Sequence, residues 1–268
     1  MPFTLAHPLA IVPVAALDRR RTLPLAALAI GTMIPDLPFF FGITSESSVT
    51  HSIPGLFAAC LPLGLVALAL YHGLLKRPLL ALLPGPVRRR CGALLKPLGP
   101  ISPEFVLATC VAILIGAATH ILWDAFTHGG RLGAWLFPWL HDIAFVIRRR
   151  RAVPWFEVFQ LVSSALGVAL LGVVCLAWLA RQPVLPPDEA PPGLPPIGLA
   201  IAYGLMFAIP TSICAGLVAY HGRVHSRGIS LAVTWSGLLL MFGLLAYALA
   251  YTLLTSTART PRGQLDAE

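Results

Sequence analysis

Apolar positions in this chain fall in long blocks, not in the alternating or striped patterns of a soluble fold. Runs at Ile53–Leu75, Phe105–Phe126, Phe156–Ala180, Ile197–Ala219 and Leu231–Leu254 contain almost no charge. Each reaches the length of about 20 residues that a helix needs to cross a bilayer. A further run, Leu23–Phe41, is interrupted by Pro35, Asp36 and Pro38, and Leu5–Leu17 and Leu132–Ile147 are short for a perpendicular crossing. The pattern predicts an all-α polytopic membrane bundle with about six full spans. Short or re-entrant N-terminal and central helices complete it, tolerable at membrane depth only where protein covers them. The whole chain, residues 1–268, reads as one integral membrane domain.

Composition agrees with the pattern. The chain is 57% hydrophobic and 11% charged, whereas soluble domains carry roughly a quarter charged residues. Its net charge of +8 does not point to nucleic acid. The positive residues sit in short clusters beside apolar runs (Arg19–Arg21, Lys76 with Arg77, Arg88–Arg90, Arg148–Arg151) with no interleaved aromatic platform for bases. Five cysteines are scattered singly, with no CxxC pair. No positive segment precedes the first apolar stretch, so residues 1–17 are expected in the mature protein.

Basic clusters are retained on the cytoplasmic side of a membrane, and this suggests a path. The loop 76–102 lies inside, and Leu132–Ile147 returns across the membrane so that Arg148–Arg151 are inside as well. The Pro-rich, acidic linker 182–196 then lies outside. Ser102-Pro103-Glu104 is a helix start, with an N-cap serine, a proline at the first helical position and an acid in the first turn. On this path His7, Asp36, His51, Asp124 and His128 all approach one membrane face. Inverting every span leaves them together.

The segment "THILWDAFTHGG" at 119–130 carries the densest chemistry. His120, Asp124 and His128 are spaced at i, i+4 and i+8, which makes one polar stripe along a helix. Ionisable groups inside a membrane span are functional candidates by default. On a regular helix His120 and His128 stand about 12 Å apart along the axis, too far to share one ion. Either Asp124 bridges two metals with a histidine on each, or the helix ends early and Gly129-Gly130 lets His128 curl back.

His7, Asp36, His51, His120, Asp124 and His128 are thus the candidate metal ligands, four histidines and two carboxylates. Such donors suit zinc, manganese or iron, zinc foremost, as one or two ions. With an open position such a site activates water for hydrolysis. His141 and Asp142 are candidates for a supporting or substrate-facing role, and Glu46 for an acid or base. His72 reads as an interface residue, and the pair His221 and His225 falls in a basic connector.

The motifs "MPFTLAHP", "GTMIPDLPFF", "THS" at 50–52 and "HILWDAFTH" together resemble the DUF4184 family of bacterial membrane proteins, over essentially the whole chain. More distantly, "THS" and the HxxxDxxT element are similar to YdjM-type membrane-bound metal-dependent hydrolases, which are linked to zinc-dependent phospholipase C-like proteins. The resemblance implies ligand roles for Asp36, His51, His120 and Asp124, and puts Thr127 at the motif threonine. It also implies a bacterial cytoplasmic membrane as location. Two departures reduce the likeness. "SESSV" at 45–49 stands where the hydrolase pattern has an HRG triplet, and Pro38 replaces the second of its paired acids.

The leading expectation is a membrane-embedded metal-dependent hydrolase acting on a phosphoester of a lipid or amphiphile. No feature points to a nucleic acid or a protein partner. A transporter of protons or metal is the alternative from another class, with Pro62 and Pro210 as candidate helix breaks, although no internal repeat of the transporter kind is visible. A third is a non-catalytic membrane protein with a structural metal.

Overall fold

The computed structural model describes residues 4–41, 43, 47–95, 100–147, 151–221 and 226–257. Glu46, the acid–base candidate, lies outside the described residues. The fold is a membrane helical bundle. Two shorter apolar helices, α1 (Thr4–Leu17) and α2 (Leu25–Phe40), precede α3 (Ile53–Ala81) and α4 (Pro103–Thr127). A short helix α5 (Leu132–Leu136) leads into strands β1 (Ile143–Ile147) and β2 (Arg151–Pro154). The chain continues as α6 (Trp155–Ala180), α7 (Pro196–His221) and α8 (Ser226–Thr257). Among the described residues five helices are long and apolar enough to cross a membrane: α3, α4, α6 and segments of α7 and α8. The run at 23–41 does not reach that length, because Ile34–Asp36 tightens into a 3-10 turn.

Contacts divide the chain into two compact units. The first, Met1–Phe39 with Ile43–Leu68 and Leu98–Ala180, contains every candidate ligand. Within it α1 and α2 form a helical hairpin whose second arm packs along α4. Helices in lipid associate through van der Waals packing between small residues, and this pair uses glycine on both sides. A Cβ on Gly31 would run into the Ile113 carbonyl, and one on Gly116 into the Leu28 carbonyl. Ile11, Ala27, Leu28, Ala112 and Ile113 form a core there, each no more than 5% exposed. The turn of the hairpin is held by Asp18, whose carboxylate accepts from the Leu23 and Thr22 backbone N–H groups at 2.7 and 3.1 Å.

Helix α4 begins as its sequence predicts. Ser102 Oγ accepts from Phe105 N at 3.3 Å, Pro103 occupies the first turn, and Glu104 lies in it. Helix α3 is wound wider in two places, with π turns at Leu56–Cys60 and Tyr71–Leu75. Each holds the carbonyl that would clash with the ring of a proline four residues on, Ala58 for Pro62 and Leu74 for Pro78. Widening the turn relieves that clash without ending the helix.

Two expectations about the path are corrected. Residues 132–147 form no spanning helix. Pro138 stops the short α5, and the run Ile143–Ile147 pairs antiparallel with Arg151–Pro154. Trp123, near the end of α4, donates to Ser163, near the start of α6, at 3.2 Å, so the intervening segment returns to the end it left.

The Pro-rich linker belongs to the second unit: Phe40–Gly42, Ala69–Pro97 and Arg181–Glu268. There it is bonded to the basic segment that was expected on the opposite face. Arg89 Nε donates to the Leu185 carbonyl at 2.7 Å and Leu185 N–H to the Arg89 carbonyl at 3.0 Å. Arg90 reaches the Gln182 carbonyl at 3.0 Å, and Leu194 N–H the Ala81 carbonyl at 3.2 Å. Segments 81–90 and 182–194 therefore lie side by side. The arginines there satisfy linker carbonyls, a local task that charge-counting rules do not see.

Candidate metal centre

Four elements of the first unit deliver the polar residues to one place. The 3-10 turn Thr4–Ala10 carries His7, the turn Ile34–Asp36 carries Asp36, and His51 precedes α3. His120 and Asp124 lie one turn apart on α4, on the face that the glycine-packed α2 covers. The close approach of α2 makes the Thr32 carbonyl available to the site. Its oxygen is 2.7 Å from Nδ1 of His120.

Nδ1 of His120 must therefore carry the proton, because a carbonyl can only accept. That leaves the Nε2 lone pair facing the interior, where it has no hydrogen-bond partner. The same logic orients His51. Its Nδ1 lies 3.2 Å from Thr50 Oγ1, whose own proton goes to the Pro35 carbonyl at 2.8 Å. The Thr50 oxygen then accepts from Nδ1, and Nε2 of His51 also turns inward as a lone pair. Ligating histidines are commonly held in this way by a hydrogen bond on the far nitrogen.

Both lone pairs face carboxylates. His51 Nε2 is 3.6 Å from Asp36 Oδ1 and 3.3 Å from Asp124 Oδ2. His120 Nε2 is 3.6 and 3.5 Å from the same two oxygens. The four side chains are buried, at 0–9% exposure, and the four atoms all lie within 4.8 Å of one another. Charge-assisted N–H···O bonds would bring these atoms to about 2.7–2.9 Å. Tetrahedral ligands at metal bonds of about 2.0–2.1 Å stand roughly 3.3 Å apart. The four nitrogen–oxygen distances of 3.3–3.6 Å are compatible with donors around a common cation. Two buried carboxylates also require compensating charge. Thr4 Oγ1 donates to Asp36 Oδ2 at 2.7 Å, which leaves Oδ1 of Asp36 for the centre.

The remaining candidates divide. His7 is buried and stacks on His120 with ring centroids 3.7 Å apart. Its Nε2 is 3.7 Å from Asp124 Oδ1. Helix α4 ends at Thr127, and His128 takes an extended conformation as C-cap (φ −132°, ψ 127°). Its Nδ1 is 3.6 Å from Asp124 Oδ1 and 3.2 Å from Thr127 Oγ1, and its side chain is 28% exposed. Helix α4 thus ends before the glycines, and Asp124 turns Oδ2 to His51 and His120 and Oδ1 to His7 and His128. His141 and Asp142 are exposed, and the His141 ring packs edge-on to Phe156 at 5.5 Å instead of joining the converging atoms.

Sequence reasoning missed Thr4, the Thr32 carbonyl, Thr50 and Gln160, whose amide is 3.2 Å from Nε2 of His128. Thr4 and Thr50 flank candidate histidines, a weak signal. A backbone carbonyl and a residue on a distant helix leave none.

The fold and the cluster together define a helical membrane protein with a buried His/Asp site able to hold a metal ion. The chain belongs to the family described as "Domain of unknown function (DUF4184)", whose model matches residues 1–251. No curated protein and no solved structure matches it.

Proposed function

We propose that the protein is a membrane-embedded metal-dependent hydrolase acting on a phosphoester of a lipid or other amphiphile, with zinc as its metal. The observation that carries the reading is the convergence of Asp36 Oδ1, His51 Nε2, His120 Nε2 and Asp124 Oδ2 at metal-ligand spacing. The donors are nitrogen and oxygen with no cysteine, unlike the thiolate-rich sets of many structural zinc sites. A divalent cation held there supplies Lewis acidity and water of lowered pKa.

Two further observations support this reading over the alternatives. The segment after His128 exposes Trp135, Phe137, Trp139 and Trp155, and tryptophan is enriched at the headgroup level of membranes. A lipid headgroup there would lie beside the partly exposed edge of the cluster. In the other direction the unit is filled by Ile11, Leu28, Ala112 and Ile113, an apolar plug unsuited to ion translocation. A structural metal is the competing reading, favoured by the burial of His120 and Asp124 at 0 and 3%.

The test is turnover of lipid phosphoesters by the detergent-purified chain. Activity that chelation removes, zinc restores and Asp124→Asn abolishes supports the hydrolase. Stoichiometric zinc with no exchangeable water and no turnover would favour the structural role.

A further inference from the structure

The ring stack of His7 on His120 has a geometric consequence. Two nearly parallel imidazoles, 21° from coplanar alignment and 3.7 Å apart, face the two oxygens of a single carboxylate. His120 Nε2 addresses Asp124 Oδ2 at 3.5 Å, and His7 Nε2 addresses Asp124 Oδ1 at 3.7 Å. Oδ1 also meets His128 Nδ1 at 3.6 Å. Both ring nitrogens of His7, 2% exposed, and Oδ1 of Asp124 are buried without hydrogen-bond partners. A buried imidazole nitrogen such as Nε2 of His7 is costly to leave unsatisfied unless something polar lies between it and the carboxylate.

We propose that Asp124 bridges two divalent cations, the second held by His7 Nε2, His128 Nδ1 and Asp124 Oδ1. Two ions presented by rings 3.7 Å apart would have the spacing of two-metal hydrolytic sites, about 3.5–4 Å. The Gln160 amide nitrogen lies 3.2 Å from His128 Nε2; turned over, the amide would present its oxygen to an N–H there and leave Nδ1 for the ion. This second site has only three protein donors, one of them partly exposed at His128. It is therefore the one with room for a substrate oxygen. The inference rests on the metal reading of the first site and extends it.

The experiment is zinc stoichiometry on the full chain, purified in detergent, loaded with zinc and desalted. Zinc K-edge absorption then reports any metal neighbour. Wild type should carry two ions per chain with a metal scatterer at about 3.5–4 Å. His7→Gln with His128→Gln should halve the zinc content and remove the scatterer. One ion and no metal neighbour in wild type overturns the second site and leaves the first standing, whereas no bound zinc overturns both. The wild-type spectrum decides the matter even if the double variant fails to fold.

Discussion

The hydroxyl of Thr4 donates to Oδ2 of Asp36 at 2.7 Å, joining residues 32 positions apart. The bond ties the start of the first helix to the end of the second and aims the other carboxylate oxygen at the cluster. Groups behind a metal ligand typically matter by 10–100-fold in affinity. Thr4→Val should weaken zinc binding by about that factor while the chain still folds, measured by competition with a chromophoric chelator. An unchanged affinity would remove Thr4 from the site.

Gly116 sits where a Cβ meets the Leu28 carbonyl, whereas a Cβ on Gly204 meets open space. Gly116→Val should push α2 away from α4 and cost about 1–3 kcal/mol, in the range of overpacked cores. Because α2 carries Thr32 and Asp36, zinc affinity should fall with it. Gly204→Ala should leave both properties close to wild type. Thermal unfolding in detergent with and without zinc compares them.

The bonds between the basic segment and the Pro-rich linker predict a labelling pattern. In a cysteine-free background, Gly85→Cys and Asp188→Cys should react with a membrane-impermeant maleimide from the same side of a sealed vesicle. Labelling from opposite sides would restore the path that charge bias suggested.

Asp18 accepts from the Leu23 N–H first and the Thr22 N–H second, and these bonds hold its carboxyl below the usual carboxylate range. The sign follows from linkage. With the folded pKa depressed, the contribution to stability is complete above the unfolded value near about 4 and is lost as pH falls through the folded value. Asp18→Asn should therefore lower the melting temperature slightly at neutral pH. The gap from wild type should narrow under acid conditions. A gap that widens instead would contradict the capping role.

Much of the fold was legible because lipid imposes a coarse code. Five spans announced themselves by length and apolarity, and Ser102 announced the start of α4. The strand pair Ile143–Ile147 and Arg151–Pro154 was not legible as such. A five-residue run such as Ile143–Ile147 reads equally well as strand or buried helix, and the flanking arginines suggested a crossing. Within the site, helical spacing exposed His120, Asp124 and His128. Asp36 and His51 emerged from motif likeness and a shared membrane face. The position of His7 depends on how α1 and α2 pack on α4 through Gly31 and Gly116, a tertiary fact with no local signal. The Thr32 carbonyl that fixes His120 has no side-chain signature at all.

The central claim is that the buried His/Asp cluster is a metal site organised on Asp124. Its most direct test is metal content of the monodisperse, detergent-purified full chain, wild type beside Asp124→Ala, after zinc loading and desalting. Wild type should retain at least one zinc per chain, and Asp124→Ala, eluting as the same species, should retain none in stoichiometric amount. Wild type without bound metal, or Asp124→Ala with a full complement, would contradict the account.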